Sequence, residues 1–262
     1  MKWIRIKALL FRYTYLYPRS LPRLLDLFFW PVLDLLVWGF LSVYLEKLDL
    51  QSVNIVSVLL GAIIFWAFLG RTQEAVTVAF LEDVCEKNLL NLFVTPVKVS
   101  EFLSATLLLG IIRLFLQSII LSVVALVLYH FNIFQFGLYN IPFVLNLLIF
   151  GWALGLFILG IILRFGTSAQ VLAFGFIFVI QPFSAVFYPV SALPHVIQWI
   201  SYLLPSTYVY EGMRAVIATG SVPLQPLVLA FGINLIYLAL VCLFFYRMFA
   251  WVKKRGALMK FD

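Results

Sequence analysis

Six apolar runs, most of them long enough to cross a bilayer, leave this chain few alternatives to a helical membrane protein. They cover Leu24–Leu45, Val53–Gly70, Ala105–Tyr129, Ile141–Leu163, Ala169–Tyr188 and Leu224–Tyr246. A helix rises about 1.5 Å per residue and a hydrocarbon core is about 30 Å thick, so about 20 apolar residues suffice to span it. Backbone groups in lipid must bond within the protein, which the α-helix achieves inside each segment. Composition agrees: the chain is 65% hydrophobic and 11% charged, with a mean hydropathy of +1.10. A soluble domain has about a quarter of its residues charged. The net charge of +7 is dispersed along the chain, which argues against a nucleic-acid surface. Cys85 and Cys242 fit no metal or redox spacing. Arg12 interrupts the apolar stretch after Lys7, against a cleavable leader.

Residues 189–220 behave differently from the spans. His195–Leu204 and Ser206–Thr219 give ten and fourteen residues, or about 15 and 21 Å of helix, too short to cross. Pro189, Pro194 and Pro205 mark the turns. The expectation is two short helices that dip into one leaflet, or lie on it, with Glu211 and Arg214 three apart and able to pair. The competing reading is a loop that merely covers the surface.

Charge sets the orientation. Residues 1–23 carry Lys2, Arg5, Lys7, Arg12, Arg19 and Arg23, and read as an amphipathic helix lying on the membrane surface. The loops after the second and fourth spans add Arg71, Lys87, Lys98 and Arg164, and the tail 247–262 adds five more. These fifteen basic residues fall on one face, against Lys47 and Arg214 on the other. By the positive-inside rule both termini are cytoplasmic and the short helices external.

The loop 71–101 is the largest polar stretch. Leu81, Val84, Cys85, Asn88, Leu89 and Leu92 recur at steps of three and four, the pattern of an amphipathic cytoplasmic helix. Glu82, Asp83 and Glu86 on it would face an anionic leaflet unfavourably, so a protein partner with basic residues is expected there. Within the spans, Asp34 and Arg113 enter from the same side to similar depth. They are read as a structural ion pair, with a substrate contact and a snorkelling Arg113 as the alternatives.

No phosphate-binding loop, catalytic triad or metal cluster is spelled out in the sequence, and His130 and His195 lie in separate loops. Gly151, Gly155 and Gly160 lie inside a span and read as a helix-packing face.

The order of elements, with Phe187-Tyr188-Pro189-Val190, Leu193-Pro194, Leu204-Pro205 and then Tyr208, Glu211 and Arg214, resembles the permeases of the ABC type-2 exporter family. The segment Asn88-Leu89-Leu90 to Thr95-Pro96 resembles that family's coupling loop, although the Gly-Thr-Leu found in many members is missing. The resemblance covers the whole chain. It implies an all-α integral membrane fold of six transmembrane helices in a prokaryotic plasma membrane. Two permease copies, or this chain and a related one, would form the path, with ATP and Mg held by two copies of a separate ATPase subunit and no cofactor or catalysis on this chain. It also implies export of drugs, lipids, lipid-linked oligosaccharides or polysaccharides, and coupling through Leu81, Glu82, Asp83, Glu86, Leu89, Thr95 and Pro96. Tyr188, Pro189, Pro194, Pro205, Tyr208, Glu211 and Arg214 would form an external gate. A secondary transporter, or a membrane assembly protein without transport, is the rival reading; no inverted repeat supports the first.

Overall fold

The computed structural model describes residues 2–48, 55–85, 95–221 and 224–254, and these are almost entirely helical, with no strand among them. Nine helices carry the description. They are α1 (Trp3–Leu16), α2 (Leu21–Lys47), α3 (Ile55–Cys85), α4 (Val99–Tyr129), α5 (Asn140–Phe165), α6 (Gln170–Ile180), α7 (His195–Leu203), α8 (Pro205–Thr219) and α9 (Leu224–Lys254). Five of them are long and apolar enough to cross a membrane: α2, α3, α4, α5 and α9.

Helices α3 and α5 form the centre, and α2, α4 and α9 surround them. The outer helices turn Phe40, Val127 and Val228 outward, each about two-thirds exposed, as lipid-facing helices do. The centre is tight because α5 presents glycines to α3. A Cβ at Gly151 would lie 2.7 Å from Cβ of Thr72, and one at Gly155 would lie 2.8 Å from Cβ of Val76. Without a hydrophobic drive between helices in lipid, such close backbone approach is a main source of association. Two polar bonds add to it. Asn234 donates to the side-chain oxygen of Asn146 at 3.0 Å, joining α9 to α5, and Gln73 donates to the Ala173 carbonyl at 3.0 Å, joining α3 to α6.

Three sequence expectations need correction. The second span does not stop at Gly70: α3 runs unbroken for 31 residues, so Arg71–Cys85 extends it rather than opening a loop. The charges of Arg71 and Glu74 are accommodated in place, because Arg71 pairs with both Asp26 and Glu74 at 2.8 Å. The fifth span, expected over Ala169–Tyr188, is shorter. Its apolar helix covers Gln170–Phe183, since Pro182 cannot continue an α-helix. Ser184 instead returns a hydroxyl bond to the Ile180 carbonyl. The third span begins earlier than expected, at Val99.

The first span is disturbed just before Pro31. Over Leu25–Phe29 the helix loosens to a π turn, with the Trp30 N–H bonded back to the Leu25 carbonyl. Proline lacks the N–H that would continue the α pattern, and a π turn absorbs the mismatch.

The short helices α7 and α8 form a V with its vertex at Leu204 and Pro205. Proline at the first position of α8 costs no hydrogen bond. Tyr237, thirteen residues past the start of α9, donates to the Leu203 carbonyl at 2.9 Å. The vertex therefore reaches about 20 Å along α9.

Candidate functional site

Both flanks of the segment 86–94 are tied to α1. Ile6, Leu9 and Tyr13 lie on one face of α1 and are buried, which seats the helix against α3 and α4 and aims its basic residues at their ends. Arg12 pairs with Asp83, and Tyr13 donates its hydroxyl to the other Asp83 oxygen at 2.6 Å. Arg23 meets Glu82 at 3.1 Å. On the other flank, Glu101 accepts from the backbone N–H of Lys2 at 2.7 Å and of Lys98 at 3.0 Å. Arg5 approaches Glu101 at 3.4 Å and donates to the Pro96 carbonyl. Burial, and then the Asp83 charge, push the Tyr13 phenol above its ordinary value, so it stays a donor.

This overturns part of the sequence reading. Leu81 is buried in the core beneath α1, Asp83 is buried with its carboxylate against Arg12 and Tyr13, and Glu82 is held by Arg23. These groups are bound within the chain rather than offered to a partner. The signal that could have found this was the alternation of Arg5, Arg12 and Arg23 with the apolar face of residues 3–23, a basic strip matching Glu82, Asp83 and Glu101. Thr95 and Pro96 form an exposed turn just before α4. Glu86 and Leu89 lie outside the described residues.

At the other end, the expected Glu211–Arg214 pair is formed, at 3.1 Å. The same Glu211 oxygen accepts from the Val190 N–H at 2.8 Å, and Arg214 donates to the carbonyls of Ala185 at 2.8 Å and Val186 at 3.3 Å. The pair thus fixes the turn between α6 and α7, in which Ala185 has a left-handed φ of 51°. Around it, Tyr188 bonds the Pro182 carbonyl and Tyr208 the Tyr202 carbonyl, while Pro189 and Pro194 flank the one-turn helix Val190–Ala192 and Pro205 opens α8.

The expected pair of Asp34 and Arg113 does not form. The Arg113 guanidinium lies over the Tyr17 ring, 4.6 Å from its centre, and its Nε and one terminal nitrogen find no partner. Equal depth does not imply equal direction, and Arg113 points towards the chain between α1 and α2. The cation that Asp26 and Glu74 share is Arg71, a residue whose sequence context suggests the start of a loop. Asp34 instead borders a cavity of about 190 Å³ between α2, α3, α4 and α6, together with Trp38, Trp66, Arg71 and Gln117.

Comparison with known families places this arrangement. The ABC-2 type transporter family model matches residues 5–218. No curated protein matched the chain. The match takes in most of α1, the segment after α3, and α7 with nearly all of α8, and ends before α9. This chain, a multi-pass membrane protein and transporter permease component, belongs to the ABC-2 type transporter family.

Proposed function

We propose that the chain is the permease subunit of an ATP-driven exporter that moves an amphipathic substrate out of a prokaryotic cell. Members of this family normally work with an ATPase partner. In the proposed unit two permease copies form the path and two ATPase subunits, holding ATP and Mg, dock beneath them. In the proposed orientation the basic residues of the amino segment, of the loops after the second and fourth spans and of the tail mark the cytoplasmic face, with both termini inside.

The observation that carries this reading is the brace of α1 on both flanks of residues 86–94. A force applied to that segment by a closing ATPase would reach α3 through Asp83 and α4 through Glu101. It would also reach α2, because α1 leads directly into that helix. Membrane scaffolds need no such linkage. On the outer side, α7 and α8 are proposed to enter the leaflet as a V, and α6 with the turn after it makes the sixth crossing. Glu211 and Arg214 then hold the exit shut between cycles, since they pin that turn.

The test is co-expression with a candidate ABC ATPase subunit from the same genome, purification, and reconstitution into vesicles. The expected result is a stable complex whose ATPase rate rises in the presence of the permease. Failure of the two to associate would overturn the reading. In cells lacking Cys85 and Cys242, a cysteine at Ser221 should react with an impermeant thiol reagent and one at Lys254 should not.

A further inference from the structure

We propose that the cavity between α2, α3, α4 and α6 binds a monovalent organic cation, with Asp34 as counter-ion and Trp30, Trp38 and Trp66 as aromatic walls. This names the substrate class of the permease and so rests on the function proposed above.

The first observation is the state of Asp34. From Leu24 to Asp34 is ten residues, or about 15 Å, which places the carboxylate near the middle of a 30 Å hydrocarbon core. It is exposed there, and among the described residues it makes neither a hydrogen bond nor an ion pair. A lone carboxylate at that depth is costly unless a wet cavity or a cation meets it. Asp34 lies on the rim of just such a cavity, of about 190 Å³, enough for a quaternary ammonium head.

The second is the net charge of the walls. Arg71 lines the cavity too, but it is already matched by Asp26 and Glu74 at 2.8 Å. The lining groups Asp34, Glu74 and Arg71 sum to one negative charge, and Asp26, which pairs with Arg71 from outside the lining, adds another. Arg113 does not line the cavity, being turned onto Tyr17, and counting it would still leave the region negative. The field repels an anion, so a phosphate or a lipid-linked pyrophosphate is disfavoured.

The third is the wall chemistry. Three indoles border one small space, and the tryptophan face is the best aromatic partner for a cation. Trp38 is fixed by stacking on Phe187, with ring centres 4.2 Å apart. Gln117 is 1% exposed, lines the cavity, and leaves both amide oxygen and nitrogen without a protein partner. A buried amide in that state calls for water or ligand. A neutral sugar would use Gln117 but would leave Asp34 uncompensated and meet the apolar walls of Ile63, Ala67 and Ile177.

The test uses the full chain in lipid nanodiscs without the ATPase. Benzyltrimethylammonium binding is measured by equilibrium dialysis, with benzenesulfonate as the anion of similar size. Saturable cation binding is expected, at least tenfold weaker in Asp34→Asn, retained in Asp34→Glu, and about threefold weaker in Trp30→Leu. Equal binding by Asp34→Asn, or equal binding of the anion, would overturn the proposal. A second measurement uses the native sequence. Dicyclohexylcarbodiimide should modify Asp34, and the cation but not the anion should protect it; labelling indifferent to the cation overturns the site. Because the ATPase is absent, a negative result here leaves the exporter reading standing. Failure of ATPase association with cation binding intact would reject that reading alone.

Discussion

Tyr13 donates its hydroxyl to Asp83 across 2.6 Å, joining the N-terminal helix α1 to the far end of the 31-residue helix α3. Asp83 is 1% exposed and also meets Arg12, so the carboxylate is buried but matched. A buried charge is tolerable only under those conditions, and removing one partner leaves the other uncompensated.

Tyr13→Phe should therefore lower the stability of the purified permease by about 1–3 kcal/mol. Asp83→Asn should also destabilise it, and the double variant should lose less than the sum. The measurement is thermal unfolding in detergent across the four proteins of the cycle. Simple additivity would mean that the two side chains are not coupled.

Gly151→Ala and Gly155→Ala should each destabilise the chain by about 1–3 kcal/mol, because the new methyl groups would meet Thr72 and Val76 under 3 Å away. Ordinarily glycine to alanine within a helix stabilises by about 1 kcal/mol. Gly232, on α9, has open space around its Cβ position, and Gly232→Ala should show that ordinary sign. Equal behaviour at all three positions would argue against close packing of α3 on α5.

Asp26 and Arg71 should couple and Asp34 and Arg113 should not. A cycle of Asp26→Asn with Arg71→Gln is expected to show about 0.5–3 kcal/mol of interaction, while one of Asp34→Asn with Arg113→Gln is expected to be additive. The reverse outcome would restore the ion pair that equal depth suggests and put the observed 2.8 Å contact in doubt.

Glu211→Ala removes the acceptor of the Val190 N–H, a bond to a charged group worth about 1.5–3 kcal/mol. Hydrogen exchange at Val190 should accelerate at least tenfold, and export should fall while association with the ATPase is kept. Unchanged exchange and transport would reduce the turn to a surface plug.

Much of this fold is legible in the sequence, and the failures share a cause. The five long spans, the two short helices and the Glu211–Arg214 pair follow from length, proline positions and a three-residue step, all of them local. Arg71 looks like the end of a span in the sequence because its neutralising partner Asp26 lies 45 residues away. The glycines that let α5 cover Thr72 and Val76 are more distant still. Asp34 and Arg113 match in depth, but depth says nothing about which way a side chain turns around its helix. Glu82 and Asp83 carry the charge pattern of a docking rim, and only the fold reveals that Arg23 and Arg12 already occupy them. Pro182 was a local stop signal that the apolar run around it concealed.

The most direct test of the central claim places a photo-reactive residue at Thr95, in the exposed turn between the braced flank and α4. In cells expressing the whole transporter, illumination should yield a covalent adduct containing the ATPase subunit. Leu89→Asp should abolish both that adduct and stimulated ATP hydrolysis, while the permease still inserts. Adducts with lipid alone, in a complex that still co-purifies and hydrolyses ATP normally, would contradict coupling through this segment.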